Sequence, residues 1–341
     1  MKNKAITFIS LIISLSASSQ NFQDIENLLL ASQEDQTLLF QQYLNPLVTS
    51  INYGMTSGWS HTAKTHKKLG FDITLSLNSS FIPSSAKFYS TSGFNSITSS
   101  SDLLPTVLGD ETDETISITL FGQGSIPELT TSFTAPSGIK EDLPLSLVAT
   151  PSLQLAIGLP YKTDLIIRYI PARINKNTSI GLKGIGLKHD LLQHFVPLDK
   201  ITLVDLSLLV AYSKYSVNYN IQKTSNLEGY NQQALMNINN YVVRLISSLD
   251  VKALVFYASI GYSKGFSDLK LLGTYDLPYN VADTAEQVIV TVTDPLKVKW
   301  DNKSISANAG ISFKFPGLRL FADYTAQEYN SISLGMSLSI R

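Results

Sequence analysis

Apolar and polar residues alternate most cleanly at the end of the chain, where Ile332, Leu334, Met336, Leu338 and Ile340 face one way and Ser331, Ser333, Gly335, Ser337 and Ser339 the other. A period of two puts successive side chains on opposite faces of a strand. The same period is expected from Pro46 to the end. Phe71, Ile73, Leu75 and Leu77 alternate with Asp72, Thr74, Ser76 and Asn78, and Leu153, Leu155, Ile157 and Leu159 with Ser152, Gln154, Ala156 and Gly158. Pro160 and Tyr161 then turn the chain into Leu165, Ile167 and Tyr169, Pro316 and Gly317 turn it into Leu318, Leu320, Ala322 and Tyr324, and a third tight hairpin is expected at Asp250 to Lys252.

Ahead of the strands the period is helical. Phe22, Ile25, Leu28 and Leu29 form one stripe, and Leu38, Leu39 and Tyr43 another. Ser32 with Asp35 three residues on resembles a capping box and marks the start of a second helix, and Pro46 is expected to end it. Residues 20–47 are therefore assigned to an N-terminal helical plug or periplasmic segment.

A soluble β-sandwich and a transmembrane β-barrel both show such alternation, and strand length separates them. Runs such as Leu203–Tyr219 and Ser304–Phe315 reach the roughly 10 residues of a tilted bilayer crossing, beyond the roughly 5 to 6 of a globular strand. Tyr161, Phe315, Tyr324, Tyr329 and Trp59 near strand ends suit interfacial girdles. Tight turns alternating with long polar stretches, Pro83–Thr115 and Leu277–Lys299, suit one end of turns and one of loops. The fold class is all-β: a transmembrane antiparallel β-barrel of about 12 to 14 strands over residues 48–341, with a short N-terminal helical segment. An exported β-sandwich is the alternative.

Composition narrows the function. Charged residues make up 16% of the 341, and 26 basic against 27 acidic residues leave no electrostatic case for nucleic acid. The absence of cysteine excludes disulfides, thiolate metal sites and a lipidated N-terminal cysteine. Lys2 and Lys4, the apolar stretch Ala5–Leu15 and the small residues Ala17, Ser18 and Ser19 read as an export signal over residues 1–19. No other apolar run suits a membrane helix, so a spanning protein must span as strands.

Few residues point to chemistry. His61, Lys64 and His66 lie in a basic run that reads either as a solvated hairpin loop, the favoured reading, or as an anion site. His189 and His194 lie five apart, a spacing that suits a metal pair on neither a strand nor a helix, so no metal site or cofactor is expected. Gly181, Gly184 and Gly186 lack the lysine of a phosphate loop and instead mark close approach of another segment, such as a plug. Asp72, Asp164, Arg168, Arg244, Lys314, Arg319 and Asp323 fall on polar strand faces and are the candidate lumen-lining residues, set there to pair with one another or to select permeants. No hydrolase motif appears, so no enzyme is expected, and a lipid hydrolase relying on one of the histidines is a minor alternative.

Gly54-Met55-Thr56-Ser57-Gly58-Trp59, His61-Thr62-Ala63-Lys64-Thr65-His66, Gly70-Phe71-Asp72, Gly184-Ile185-Gly186-Leu187-Lys188-His189 and Gly273-Thr274-Tyr275 resemble an uncharacterised family of exported Gram-negative outer-membrane β-barrels, a domain of unknown function, over most of the mature chain. Asn45-Pro46-Leu47 is more distantly similar to the segment before the first strand of long-chain fatty acid transport barrels. That family's alanine and glycine-rich hatch have no counterpart here, so no ligand residues carry over. The resemblance implies a cell outer-membrane location, with the lipid bilayer and the barrel insertion machinery as partners. The uncharacterised family has no settled function, and the function expected here is a passive, porin-like channel or transporter for small solutes, a small hydrophobic ligand among them, gated by the helices of residues 22–47. The alternative is a non-transporting structural or assembly barrel that anchors partners.

Overall fold

The computed structural model describes residues 28–120, 128–143, 146–173, 176–195, 203–221, 228–281 and 286–340. The expected export signal, with Phe22 and Ile25, lies outside them. Among the described residues, sixteen strands follow one long helix, α1 (Gln33–Thr56), which a single helical turn at Leu28–Leu30 precedes. The strands are β1 (Phe71–Phe81), β2 (Phe88–Ser90), β3 (Ile97–Ser99), β4 (Leu103–Pro105), β5 (Thr115–Leu120), β6 (Leu129–Thr134), β7 (Leu147–Leu159) and β8 (Thr163–Arg173). They continue as β9 (Thr178–Asp190), β10 (Val204–Asn220), β11 (Glu228–Val251), β12 (Leu254–Val281), β13 (Gln287–Thr293), β14 (Leu296–Phe315), β15 (Leu318–Ala326) and β16 (Ser331–Ile340).

Ten of them close a ring of antiparallel pairs in the order β1, β7, β8, β9, β10, β11, β12, β14, β15, β16 and back to β1. The closing strand is the one with the cleanest alternation, paired from Phe71↔Ile340 to Ser80↔Ser331. The ring is smaller than the 12 to 14 strands expected. The difference lies in β3, β5, β6 and β13, which join the sheet at the far end of β12 without entering the ring.

The faces are inverted relative to a soluble sandwich. Ser331, Ser333, Ser337, Thr74 and Asn78 are buried inside, while Ile73, Leu75, Leu334, Met336, Ile260 and Ile305 stand exposed outside. An apolar exterior around a polar interior is the pattern of a membrane barrel. No described helix is long and apolar enough to cross a bilayer. β1 and β16, of 11 and 10 residues, match one tilted crossing. Leu75 sits mid-strand on the outer face, so Leu75→Arg is expected to cost about 2 to 4 kcal/mol. Urea unfolding in lipid vesicles measures it, and a cost near zero would contradict a lipid-facing position.

Three hairpins turn where the sequence places them, at 160–162, 252–253 and 316–317, all at one end of the ring. The other end is elaborate. β11 and β12, of 24 and 28 residues, run well past one crossing, so the described residues of 277–299 form a strand extension, from the end of β12, β13 and the start of β14, and not the loop expected. Residues 82–120 and 128–143 fold against this extension with the first half of α1. They share an apolar core that includes Leu28, Leu39, Phe40, Leu104, Leu108, Ile116, Leu277 and Trp300.

α1 starts at the long-loop end and runs down the lumen, touching β1, β7, β11, β12 and β14. Ser32 caps it through the expected bond, Asp35 N donating to Ser32 Oγ at 3.3 Å. Pro46 does not end the helix, which continues to Thr56, so the boundary expected at residue 47 moves. Proline removes one helical hydrogen bond and strains a turn at about 3 kcal/mol, a cost that tertiary packing can meet. Here Val48, Thr49, Ser50, Asn52, Tyr53 and Met55 are all buried against the wall.

Candidate functional site

The site is the contact between the barrel wall and the segment that fills it, α1 and residues 57–70. In its upper part helix and wall are joined by polar pairs. Ser80 Oγ donates to Ser50 O at 3.0 Å, Asn302 Nδ2 to Thr49 Oγ1 at 3.1 Å, Trp300 Nε1 to Gln41 O at 3.0 Å, and Asn240 Nδ2 bonds Asn52 Oδ1.

Below the helix end, Arg168 on β8 is the main anchor. It is 1% exposed and donates from Nη1 to Met55 O at 3.0 Å, from Nη2 to Ser57 O at 2.9 Å and from Nε to Gln154 Oε1 at 3.0 Å. Two of these acceptors are carbonyls at the helix C-terminus, where a cation is favoured. Its guanidinium also lies 3.8 Å from the centre of the Trp59 ring. Trp59 itself, placed in an interfacial girdle by the sequence, is buried among Ala63, Ala156, Ile166, Leu209, Ala211, Val242 and Ile246. It fits because β9 has no side chains beneath it. A Cβ on Gly184 or Gly186 would lie 3.1 or 3.2 Å from the indole. Gly184 and Gly186 thus mark close approach, as expected, though by the segment just past the helix, whereas a Cβ on Gly181 would meet only Ile170 O at 3.8 Å.

Toward the tight turns the chain passes a buried charge cluster. Asp164 on β8 accepts from the His66 backbone N–H at 2.9 Å and from His66 Nδ1 at 3.1 Å, and forms an ion pair with Lys188 Nζ at 3.1 Å. His66 Nε2 lies 3.1 Å from Asp72 Oδ2, and Lys188 Nζ donates to Lys64 O at 2.9 Å. Both imidazole nitrogens therefore face carboxylates and both donate, which makes His66 a cation. Burial opposes that charge, but the hydrogen bonds and charges of Asp164 and Asp72 outweigh it and hold the pKa up at about 9. His61 stacks on Phe321 at 4.9 Å, and burial with the charge of Arg319 pushes it down to about 3, so it stays neutral. Of the basic run, Lys64, Lys67 and Lys68 keep the exposure expected of a solvated loop. For the two histidines that reading is corrected: the run lies inside the barrel, where strands distant in sequence supply its counter-charges.

A pH dependence follows. His66 has a folded pKa above its ordinary 6.5, so its stabilisation is fully present below pH 6.5 and is lost as pH rises through about 9. The loss is about 3 kcal/mol. The unfolding temperature in detergent is expected to fall between pH 7 and pH 10, and His66→Gln to flatten that fall. An equal fall in the variant would show that other groups cause it.

All seven candidate lumen residues occupy inward-facing strand positions. Asp72, Asp164 and Arg168 hold the plug, and Lys314 pairs with Asp250 beside a tight turn. Asp323 accepts from Tyr257 OH at 2.9 Å and Asn308 Nδ2 at 2.7 Å. Arg319 is half-buried, while Arg244 is buried with Nε and Nη2 lacking a hydrogen-bond partner among the described residues. Lys188 and Gln154 escaped sequence reasoning, although both fall on the polar face of an alternating strand. His189 and His194 do meet, with Nε2 atoms 2.9 Å apart, because the chain turns at Leu191 between them. Among the described residues no third His, Asp or Glu joins them to hold a metal. Of the expected girdle, Tyr161, Phe315 and Tyr324 are exposed, whereas Tyr329 is buried at 5.8 Å from Tyr53.

Solved structures with some likeness include Ail, the attachment invasion locus protein of Yersinia pestis, 7% identical over 80% of this chain and 100% of that one, TM-score 0.27. The translocator domain of the autotransporter NalP from Neisseria meningitidis is 9% identical over 81% and 89%, TM-score 0.32. The toluene transporter TodX of P. putida is 9% identical over 79% and 89%, TM-score 0.24. No curated relative matches the chain. Residues 1–340 match the Family of unknown function (DUF6588), and the chain belongs to that family.

Proposed function

We propose that this protein sits in the outer membrane as a gated conduit for small solutes, at rest closed by its own N-terminal helix. The observation that supports a gate is the chemistry of the plug's contact with the wall around Thr49–Asn52 and below the helix end. Apart from the charge cluster at Asp164, the contact is made by hydrogen bonds to backbone carbonyls and hydroxyl or amide side chains, which water can replace as the segment moves. Non-enzymatic action fits the same site, since both nitrogens of His66 are engaged by carboxylates and neither serves as a base.

A second reading, a non-transporting anchor for envelope partners, draws on the apolar core that fixes the start of α1 at the long-loop end. Conductance in planar bilayers separates the two. The wild-type barrel is expected to be mostly silent and Arg168→Gln to open frequently, whereas silence in both would end the transport reading and leave the anchor.

A further inference from the structure

The long-loop end carries a cleft of about 320 Å³ between the Pro46 turn of α1, the segment from Pro83 to Thr106, and the β15–β16 connection. This volume lies at the lower end of small-molecule sites. Phe88, Tyr89 and Tyr329 supply aromatic walls, and Gln42, Asn45 and Glu328 the polar atoms. Two features fix the chemistry of an occupant. Glu328 brings a negative charge, held in place by Tyr53 OH, which donates to its Oε2 at 2.6 Å. Among the described residues no lysine, arginine or histidine lines the cleft, so this carboxylate has no cationic neighbour in its walls. A carboxylate so placed calls for a donor-bearing, positively charged group, and aromatic faces favour a cation further.

We propose that this cleft binds a small organic cation, a primary ammonium group carried on an apolar body. The ammonium pairs with Glu328, and the body lies against Phe88 and Tyr329. The proposal stands whether or not the lumen conducts.

The test is calorimetric titration of the folded full-length barrel in detergent with benzylamine, benzyl alcohol, benzoate and glucose. Benzylamine is expected to bind saturably, benzyl alcohol and glucose at least tenfold more weakly, and benzoate not at all. Glu328→Gln, which keeps an acceptor for Tyr53, is expected to weaken benzylamine at least tenfold. Should that variant not fold, Phe88→Ala at an exposed position is expected to weaken it severalfold. Absence of benzylamine binding, equal binding of alcohol or benzoate, tighter binding of glucose, or full affinity in the variant that folds would overturn the proposal.

Discussion

Arg168→Met is expected to undock the segment after the helix and to lower the stability of the folded barrel by about 3 to 5 kcal/mol. Methionine keeps the apolar stem but removes every donor, which leaves Met55 O, Ser57 O and Gln154 Oε1 without the partner they share. Each buried polar group left unsatisfied costs about 1 to 3 kcal/mol, and rehydration returns part of that. The Trp59 ring loses its cation as well. Two measurements read the effect: the temperature at which the compact gel form converts to the unfolded one, and trypsin cleavage at the exposed Lys64, Lys67 and Lys68. Both should move in Arg168→Met and move less in Arg168→Lys, which keeps charge but loses the planar fork. Unchanged values in both variants would show that the anchor contributes nothing.

Asp164→Leu is expected to cost a similar amount, about 3 to 5 kcal/mol, through charges left uncompensated. Asp164 is fully buried and is the carboxylate that Lys188 and His66 share. Without it both cations remain beside Asp72 alone. The distinguishing outcome is a double-mutant cycle, because Asp164→Leu with Lys188→Met removes charge from both sides and should restore part of the loss. Strict additivity of the two single costs would mean that the pair is not coupled. The alkaline destabilisation set by His66 should also begin at lower pH in Asp164→Leu, since the group holding its proton has gone.

Much of the frame was legible because it is local. Alternation from Ser331 onward specified a strand with one small polar face, and the structure uses that face for close contact. At Gly335 a side chain would meet the Phe321 ring at 2.4 Å. The hairpins at Pro160 and Gly317 were legible for the same reason. What failed depended on partners far along the chain. Pro46 reads as a helix end when only its neighbours count, yet a helix packed on several strands tolerates it. Trp59 reads as a membrane girdle until glycines more than a hundred residues later provide its seat. His61 and His66 read as a solvated run because the strands that enclose them lie far along the chain, and Asp164, which accepts from His66, is 98 residues away. The strand number was overestimated because alternation marks strands without telling which of them close the ring.

Since the chain has no cysteine, a single engineered pair tests whether the helix occupies the lumen. A Cβ on Gly265 of β12 would sit 2.6 Å from Asn52 Cγ, one bond from Asn52 Cβ, so cysteines at 52 and 265 bring their Cβ atoms to about the 4 Å that a disulfide needs. In Asn52→Cys/Gly265→Cys, folded in outer membranes and oxidised, a bond between these two positions is expected in nearly every molecule, seen as loss of free thiols that reductant reverses. Two thiols that remain free and open to alkylation in the folded barrel would contradict a lumen closed by its own N-terminal helix.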